Sequence, residues 1–234
     1  MNYEPRKLVK TDLSDISTDS LSSFSMMENL REFMSINQLY SAAIKEIVTK
    51  LEILDDEFSV KYNYNPIHQI ESRLKKPQSV LEKLQRKGFD ISISSIRENL
   101  FDVAGIRVIC NYIDDVYNIA ELLTGQDDIT LITTKDYIKN PKENGYRSLH
   151  LIVSIPIFLA ESTENVKAEV QIRTIAMDMW ASLEHNLRYK AEHDDHDLYM
   201  ERLKVAADKL AEIDQEMQDI YTNINLAWQK KESL

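Results

Sequence analysis

Three clusters of side chains in this 234-residue chain have the types and spacing to do chemistry. The first is Arg73-Leu74-Lys75-Lys76-Pro77-Gln78-Ser79 with Lys83, Arg86 and Lys87, which holds six basic residues and one acidic residue, Glu82. On a helix opened by Pro77, Ser79, Lys83 and Arg86 share one face, and the free N–H groups of the first turn add to the same positive field. That combination is a cradle for polyphosphate; a solvated basic helix fits the same residues.

The second cluster is Asp102 with Glu169. Alternation over Val166 to Ile172 sends Ala168, Val170 and Ile172 to the core and leaves Lys167, Glu169, Gln171 and Arg173 on the other face. With Asp102 in a turn before another strand, two carboxylates are placed to share one Mg²⁺, which takes one or two carboxylates plus substrate phosphates. Two separately solvated acids are the plainer reading, and periodicity does not bring them together.

The third is the loop Lys135 to His150, where Pro141 and Asn144-Gly145 turn the chain among basic residues and hand Tyr146 to a strand. An aromatic ring among bases can stack on a nucleobase beside phosphates. A tyrosine tucked against its own sheet satisfies the pattern equally.

Composition removes other routes. Only four glycines occur, Gly88, Gly105, Gly125 and Gly145, too far apart for either glycine-rich phosphate loop, so side chains must grip any phosphate. Cys110 alone gives no disulfide framework and no cysteine zinc site, which suits a reducing, cytoplasmic setting; by parity it faces the core and is inert. The N-terminus lacks a secretory pattern, and the longest uncharged apolar stretch, Ser148 to Ala160, is too short for a span and contains Pro156. A net charge of −11 repels nucleic acid at long range and leaves only local basic patches for such a partner.

The elements that must position these residues follow from their periods. Residues 1–24 are polar and aperiodic and are expected to form a flexible extension. A long helix is expected from Ser25, its stripe being Tyr40, Ile44, Ile47, Leu51, Leu54 and Phe58, until Asn65-Pro66 breaks it. A helix from Pro77 to about Lys87 follows, then a short one opened by Ser95 with Glu98 as a capping box. Strands are expected at Ala104 to Cys110, Ile129 to Thr134, Leu149 to Ile155 and Val166 to Ile172, with a helix capped by Asp114 and ending near Gly125 between the first two. The fold class is α+β, a mixed sheet of about five strands flanked by helices.

After Pro156 neither proline nor glycine recurs, so the C-terminal third can run as long helices. Residues 25–192 form the expected catalytic domain and 193–234 a helical oligomerisation segment. Leu203, Ala206, Leu210, Ile213, Met217, Ile220, Ile224 and Ala227 make a sustained seam, equally suited to its own domain or to a second subunit. His193-Asp194-Asp195-His196 has metal-like spacing but reads as a loop between helices, and Trp180 and Trp228 read as packing residues.

Together these stretches resemble the synthetase domain of the RelA/SpoT family, and the chain is similar to its small alarmone synthetases of the RelP type. The matching residues are Arg73-Leu74-Lys75 with Ser79, Lys83 and Arg86; Asp102-Val103-Ala104-Gly105-Ile106-Arg107; Asn144-Gly145-Tyr146-Arg147-Ser148-Leu149-His150; and Glu169-Val170-Gln171-Ile172-Arg173-Thr174 leading to Trp180 and Glu184-His185. The resemblance implies a nucleotidyltransferase-like fold and transfer of the pyrophosphate of ATP to the 3′-hydroxyl of GDP or GTP, giving (p)ppGpp and AMP in stringent-response signalling.

Carried over by motif, Arg73 and Arg107 sandwich adenine, while Lys75, Ser79, Lys83 and Arg86, with Lys135 assisting, hold ATP phosphates. Asp102 and Glu169 bind Mg²⁺, and Glu169 also takes the proton of the attacking hydroxyl. Tyr146 stacks on guanine, with Arg147, His150 and Gln171 on the acceptor side. Asp178 stands where some members carry Asn, which leaves the GDP/GTP balance open. The resemblance further implies a homotetramer built from the terminal helices, and synthesis without hydrolysis. A noncatalytic nucleotide-sensing or RNA-binding oligomer is the competing reading of a different class. A polymerase-β-like nucleotidyltransferase is weakened because no Gly-Ser followed by Asp-x-Asp occurs.

Overall fold

The structure is a computed structural model that describes the backbone of residues 18–190 and 196–232 and the side chains of residues 34–187 and 198–226. In chain order the elements are α1 (Thr18–Tyr62), β1 (Ile67–Leu74), α2 (Pro77–Lys87), α3 (Ile93–Asn99), β2 (Ala104–Cys110), α4 (Ile113–Thr124), β3 (Thr130–Asp136), β4 (Leu149–Phe158), β5 (Thr163–Thr174), α5 (Ile175–Lys190) and α6 (His196–Glu232). The five strands lie in the order β1-β2-β5-β4-β3. Only the central β2–β5 pair is parallel, so the sheet is mixed as expected.

One face of the sheet is the core. Ala104, Ile106 and Val108 of β2, Leu149, Leu151, Val153 and Ile155 of β4, and Val166, Ala168, Val170 and Ile172 of β5 are all buried, as their alternation requires. They pack against α1 and α4. The α1 stripe is buried at Tyr40, Ile44, Ile47, Leu51 and Leu54, and half-buried at Phe58. Asp55 ties the end of this helix to the sheet: its Oδ1 accepts the Ile67 N–H at 2.9 Å and its Oδ2 accepts from Asn65 at 2.8 Å.

Four expectations about the elements are corrected. β1 has no counterpart in the sequence reading because its apolar residues, Ile67, Ile70 and Leu74, are spaced by three and four. It is an edge strand with one fully buried residue, so no alternating core face is written into it. α1 begins at Thr18 rather than Ser25, inside the expected flexible segment; residues 1–17 lie outside the described ones. α3 is capped by Ser92, whose Oγ accepts the Ser95 N–H at 3.1 Å, so Ser95 sits within the helix rather than at its cap. α4 starts after Tyr112, and the carboxylate that closes its first turn is Asp115, accepting the Tyr112 N–H at 3.2 Å; Asp114 points instead to Gln218 of α6.

α5 leaves β5 without a loop, because the Thr174 hydroxyl caps it by accepting the Met177 N–H at 3.2 Å. The same hydroxyl donates to Asp214 of α6. α6 therefore meets its own domain through Ala207, Asp214 and Gln218, which are buried. From Ile213 on, the expected apolar seam faces away: Ile213, Met217, Ile220 and Ile224 are all exposed. Trp180 is buried and donates its indole N–H to the Leu203 carbonyl at 2.8 Å, the packing role expected of it. The side chain of Trp228, residues 191–195 with His193, and the side chain of His196 lie outside the described residues.

Candidate active site

Residues directly opposite one another across strands project to the same side of a sheet. On the face away from the core, register aligns Arg73, Gly105, Glu169 and Ile152 in one row, and Glu71, Arg107, Gln171, His150 and Lys135 in the next. Six of the sequence candidates, from all five strands, thus fall into two adjacent rows. The strand order, which no local pattern reveals, is what brings them together.

Two cavities open on this face. A small one of about 80 Å³ is lined by Arg73, Asp102, Gly105, Arg107, Glu169 and Gln171, among others. Asp102 and Glu169 therefore do share a site. A larger cleft of about 660 Å³ is lined by Arg73, Arg107, Tyr146, His150, Gln171 and Arg173, together with Lys142, Asn144, Glu184 and His185, among others. That volume is within the range of sites for small organic ligands. Arg73, Arg107 and Gln171 belong to both, so the cavities adjoin; Glu169 lines the small one and reaches the large one through Gln171 and His150.

The small cavity is organised by charge. The Lys75 N–H donates to the Val103 carbonyl at 2.9 Å, which sets Lys75 beside Asp102. The ammonium groups of Lys75, from the β1–α2 turn, and Lys83, from α2, both lie 2.7 Å from Asp102 Oδ2. Burial pushes the Asp102 carboxyl up, but the two lysines outweigh it and hold the group below the usual carboxylate range. Its other oxygen, Oδ1, is buried without a hydrogen-bond partner. An orphaned carboxylate oxygen in a cavity shared with a second carboxylate is a donor set for a hard cation. Among the described residues no group of three or more His, Cys, Asp or Glu could enclose a metal, so phosphates and water would have to complete the shell. Ser79 is half-buried and Arg86 exposed on α2; neither lines either of these two cavities, and neither does Lys135 at the open edge of the sheet.

The large cleft is organised by a hydrogen-bonded network. The Tyr146 hydroxyl lies 2.8 Å from His150 Nε2 and accepts from Arg173 Nη2. Arg173 also donates to Gln171 Oε1 at 2.6 Å and to Ser148 Oγ at 3.2 Å. Gln171 Nε2 donates to Glu169 Oε2 at 2.8 Å, and His150 Nδ1 lies 3.5 Å from Glu169 Oε1. Burial pushes the Glu169 carboxyl up, but His150 and Gln171 outweigh it and keep the group ionised below its ordinary range. Lys142 stands 4.5 Å from the Tyr146 ring centroid, and burial lowers its own pKa. Asp178 joins the halves: its Oδ1 lies 3.1 Å from Arg173 Nη1 and 3.3 Å from Arg107 Nη1. Arg147 points the other way, toward Asp208 of α6, and does not line the cleft.

Sequence reasoning did not single out Arg173 and Lys142. Arg173 shares the parity of Glu169 and Gln171, and that was the available signal; it is 4 % exposed, and it ties Tyr146 to Gln171. Lys142 carried none beyond its place in a basic loop.

Comparison with known proteins agrees with this fold. The model of the region found in RelA and SpoT proteins matches residues 72–194, a little over half of the chain. GTP pyrophosphokinase YwaC of Bacillus subtilis is 40% identical over 214 residues, covering 92% of this chain and all of the relative. The crystal structure of small alarmone synthetase 2 from Bacillus subtilis aligns with a TM-score of 0.74 at 40% identity, over 82% of this chain and 99% of that one. Small alarmone synthetase 1 from the same organism, bound to its product pppGpp, aligns with a TM-score of 0.74 at 32% identity, over 83% and 98%. With its two adjoining cavities on one face of a five-stranded mixed sheet, the chain belongs to the RelA/SpoT family.

Proposed function

We propose that the chain is a (p)ppGpp synthetase that transfers the pyrophosphoryl group of ATP to the 3′-hydroxyl of GDP or GTP and releases AMP. The observation that carries this reading is that the two cavities adjoin beside Glu169, a carboxylate that lines the charged pocket and is bonded to Gln171 and close to His150 of the aromatic cleft. Two nucleotides in those cavities meet at a single proton acceptor.

Arg73 and Arg107, diagonal neighbours on β1 and β2 that line both cavities, offer planar cations to the two faces of adenine. Lys75 and Lys83 stand where the ATP phosphates would enter, and exchange part of their pairing with Asp102 for phosphate oxygens. Ser79 and Arg86 extend that basic face along α2, and Lys135 lends charge from the sheet edge. Tyr146 supplies the face for guanine, with His150 and Gln171 beneath it. Attack of the 3′-oxygen on the β-phosphorus forms one P–O bond and breaks the bridge to the α-phosphate, so AMP leaves. Glu169 takes the hydroxyl proton, and its hydrogen bonds from Gln171 and His150 keep the carboxylate ionised and aimed. No covalent enzyme intermediate is needed; positioning and charge do the work.

The donor set of Asp102 Oδ1 and Glu169 fits Mg²⁺. When bound there it supplies neutralisation of the charge that builds on the transferred phosphate oxygens. Asp178 supports guanine recognition by holding Arg173, and Arg147 does so through the turn beside Tyr146.

A homotetramer through the terminal helices is part of the same proposal. It is supported by the exposed apolar rows Ile213, Met217, Ile220 and Ile224 on α6 and Met179, Leu183 and Leu187 on α5, with Met34, Ile53 and Val60 of α1 exposed as well. No described helix is long and apolar enough to cross a membrane, which is compatible with work in the cytoplasm beside the nucleotide pool. Sedimentation at micromolar concentration reads the assembly: a tetramer is expected, and a monomer overturns it. Incubation with ATP, Mg²⁺ and GDP or GTP, followed by nucleotide chromatography, tests the activity. AMP and a 3′-pyrophosphorylated guanosine nucleotide are expected, with no later metal-dependent loss of that product.

A further inference from the structure

α6 touches the loop that presents Tyr146, and it does so within one turn of helix. Gly145 has φ +89°, and a Cβ there would stand 2.7 Å from Ala207 Cβ and 3.4 Å from Lys204 Cα. Arg147, two residues on, donates from Nη1 to the Gly145 carbonyl at 3.0 Å and from Nη2 to Asp208 Oδ1 at 2.9 Å. One guanidinium thus bridges the turn and the helix. The turn is closed on itself as well: Gly145 N–H donates to the Lys142 carbonyl at 2.8 Å, and Lys142 N–H to the Tyr146 carbonyl at 3.2 Å. Tyr146 lies between the two residues that α6 holds. Its side chain turns into the cleft, toward His150 and Arg173.

We propose that Asp208 is a positioning residue for the acceptor site: its pairing with Arg147 holds the Gly145-Tyr146-Arg147 turn against α6 and so fixes the angle of the Tyr146 ring in the cleft. This rests on reading the cleft as the guanosine-nucleotide site. Arg147 then acts on the nucleotide through the turn. Asp208 is itself 55% exposed at its side chain and lines neither cavity, so its removal is expected to leave Ala207 seated on Gly145 and the fold intact. What changes is the freedom of the turn, and with it the cost of ordering the Tyr146 ring when a base stacks on it.

The test compares wild type, Asp208→Ala and Asp208→Glu in two measurements. In steady-state kinetics, Asp208→Ala is expected to raise the KM for GDP about fivefold, the size an exposed ion pair supplies, while the KM for ATP, kcat and Tm stay at wild-type values. Asp208→Glu is expected to recover most of the lost affinity. In nucleotide-free hydrogen exchange, the amides of residues 142–147 are expected to exchange faster in Asp208→Ala. An unchanged KM for GDP, or a rise shared by both substrates together with a lowered Tm, overturns the proposal. So does unchanged exchange of the turn. Should wild type form no product from ATP and GDP, the functional reading fails, and the exchange measurement alone still decides whether Asp208 holds the turn.

Discussion

The two halves of the site are built differently. On the β1, α2 and β2 side, Lys75, Lys83 and Asp102 are joined by charge, Ser79 and Arg86 stand half-buried or exposed, and Asp102 Oδ1 has no partner. On the β4, β5 and α5 side, Tyr146, His150, Gln171, Arg173 and Glu169 form a connected network, with α6 seated behind the turn that carries Tyr146. The first half is a charged surface waiting for a charged ligand, and it can grip any polyphosphate. The second is preformed, so it selects by shape. That difference suits a donor recognised chiefly through its phosphates and an acceptor that must present one hydroxyl.

Substitutions can break or sharpen the contrast. Glu169→Gln is expected to lower kcat by about 10³-fold, the scale of general-base catalysis, with the fold retained and both nucleotides still bound. Near-normal turnover of the pure variant removes Glu169 from the mechanism. Lys83→Met removes one of the two ammonium groups from the charged half and is expected to raise the KM for ATP about tenfold, leaving that for GDP alone. An equal rise for both nucleotides says the halves are not separable.

The two glycines test the contrast without touching a charge. Gly145→Ala demands a positive φ of an L residue and drives its methyl into Ala207, for a loss of about 1–3 kcal/mol of stability and a raised KM for GDP. At Gly105 an added methyl meets Arg73 at 3.7 Å, an ordinary contact, so Gly105→Ala should leave Tm in place. Equal losses of Tm in the two variants contradict a packed acceptor half and an open donor half.

The smallest effect concerns pH and lies outside both halves. Asp115 is pushed up to about 6, chiefly by burial, only partly offset by its bonds from Tyr64 and Tyr112. A carboxyl raised on folding stabilises the fold below its unfolded value and loses that contribution as pH rises through the folded one. Asp115→Asn should therefore gain Tm relative to wild type between about pH 4 and pH 7. Asp102 and Glu169 have the opposite sign: both are held low, so their contribution is present above the ordinary carboxylate range and is lost only as pH falls through the depressed values. A gap between Asp115→Asn and wild type that stays constant with pH removes Asp115 as the cause.

Much of the fold was legible because burial writes periods into the chain. The α1 stripe, the alternation of β2, β4 and β5, and the proline-opened α2 all appear where their apolar spacing put them. β1 did not, since an edge strand with one buried residue has no face to advertise. The caps at Ser92 and Asp115 were misplaced because neighbouring Ser and Asp residues offer equivalent oxygens, and only packing chooses among them. Within the site, residue types were legible and their meeting was not. Asp102 and Glu169 share a cavity because β2 lies parallel to β5, a pairing of Gly105 with Glu169 between segments far apart in the sequence. Arg147 illustrates the remaining limit: its type suggested a nucleotide, and its geometry gave it to Asp208.

The most direct test of a shared junction is the identity of the products. Incubated with ATP, Mg²⁺ and GDP, the protein should release AMP in equal amount to a guanosine nucleotide carrying a new 3′-pyrophosphate, read by chromatography and phosphorus NMR. Release of pyrophosphate or ADP instead, or nucleotide binding with no product, would contradict an acceptor hydroxyl delivered to the β-phosphorus beside Glu169.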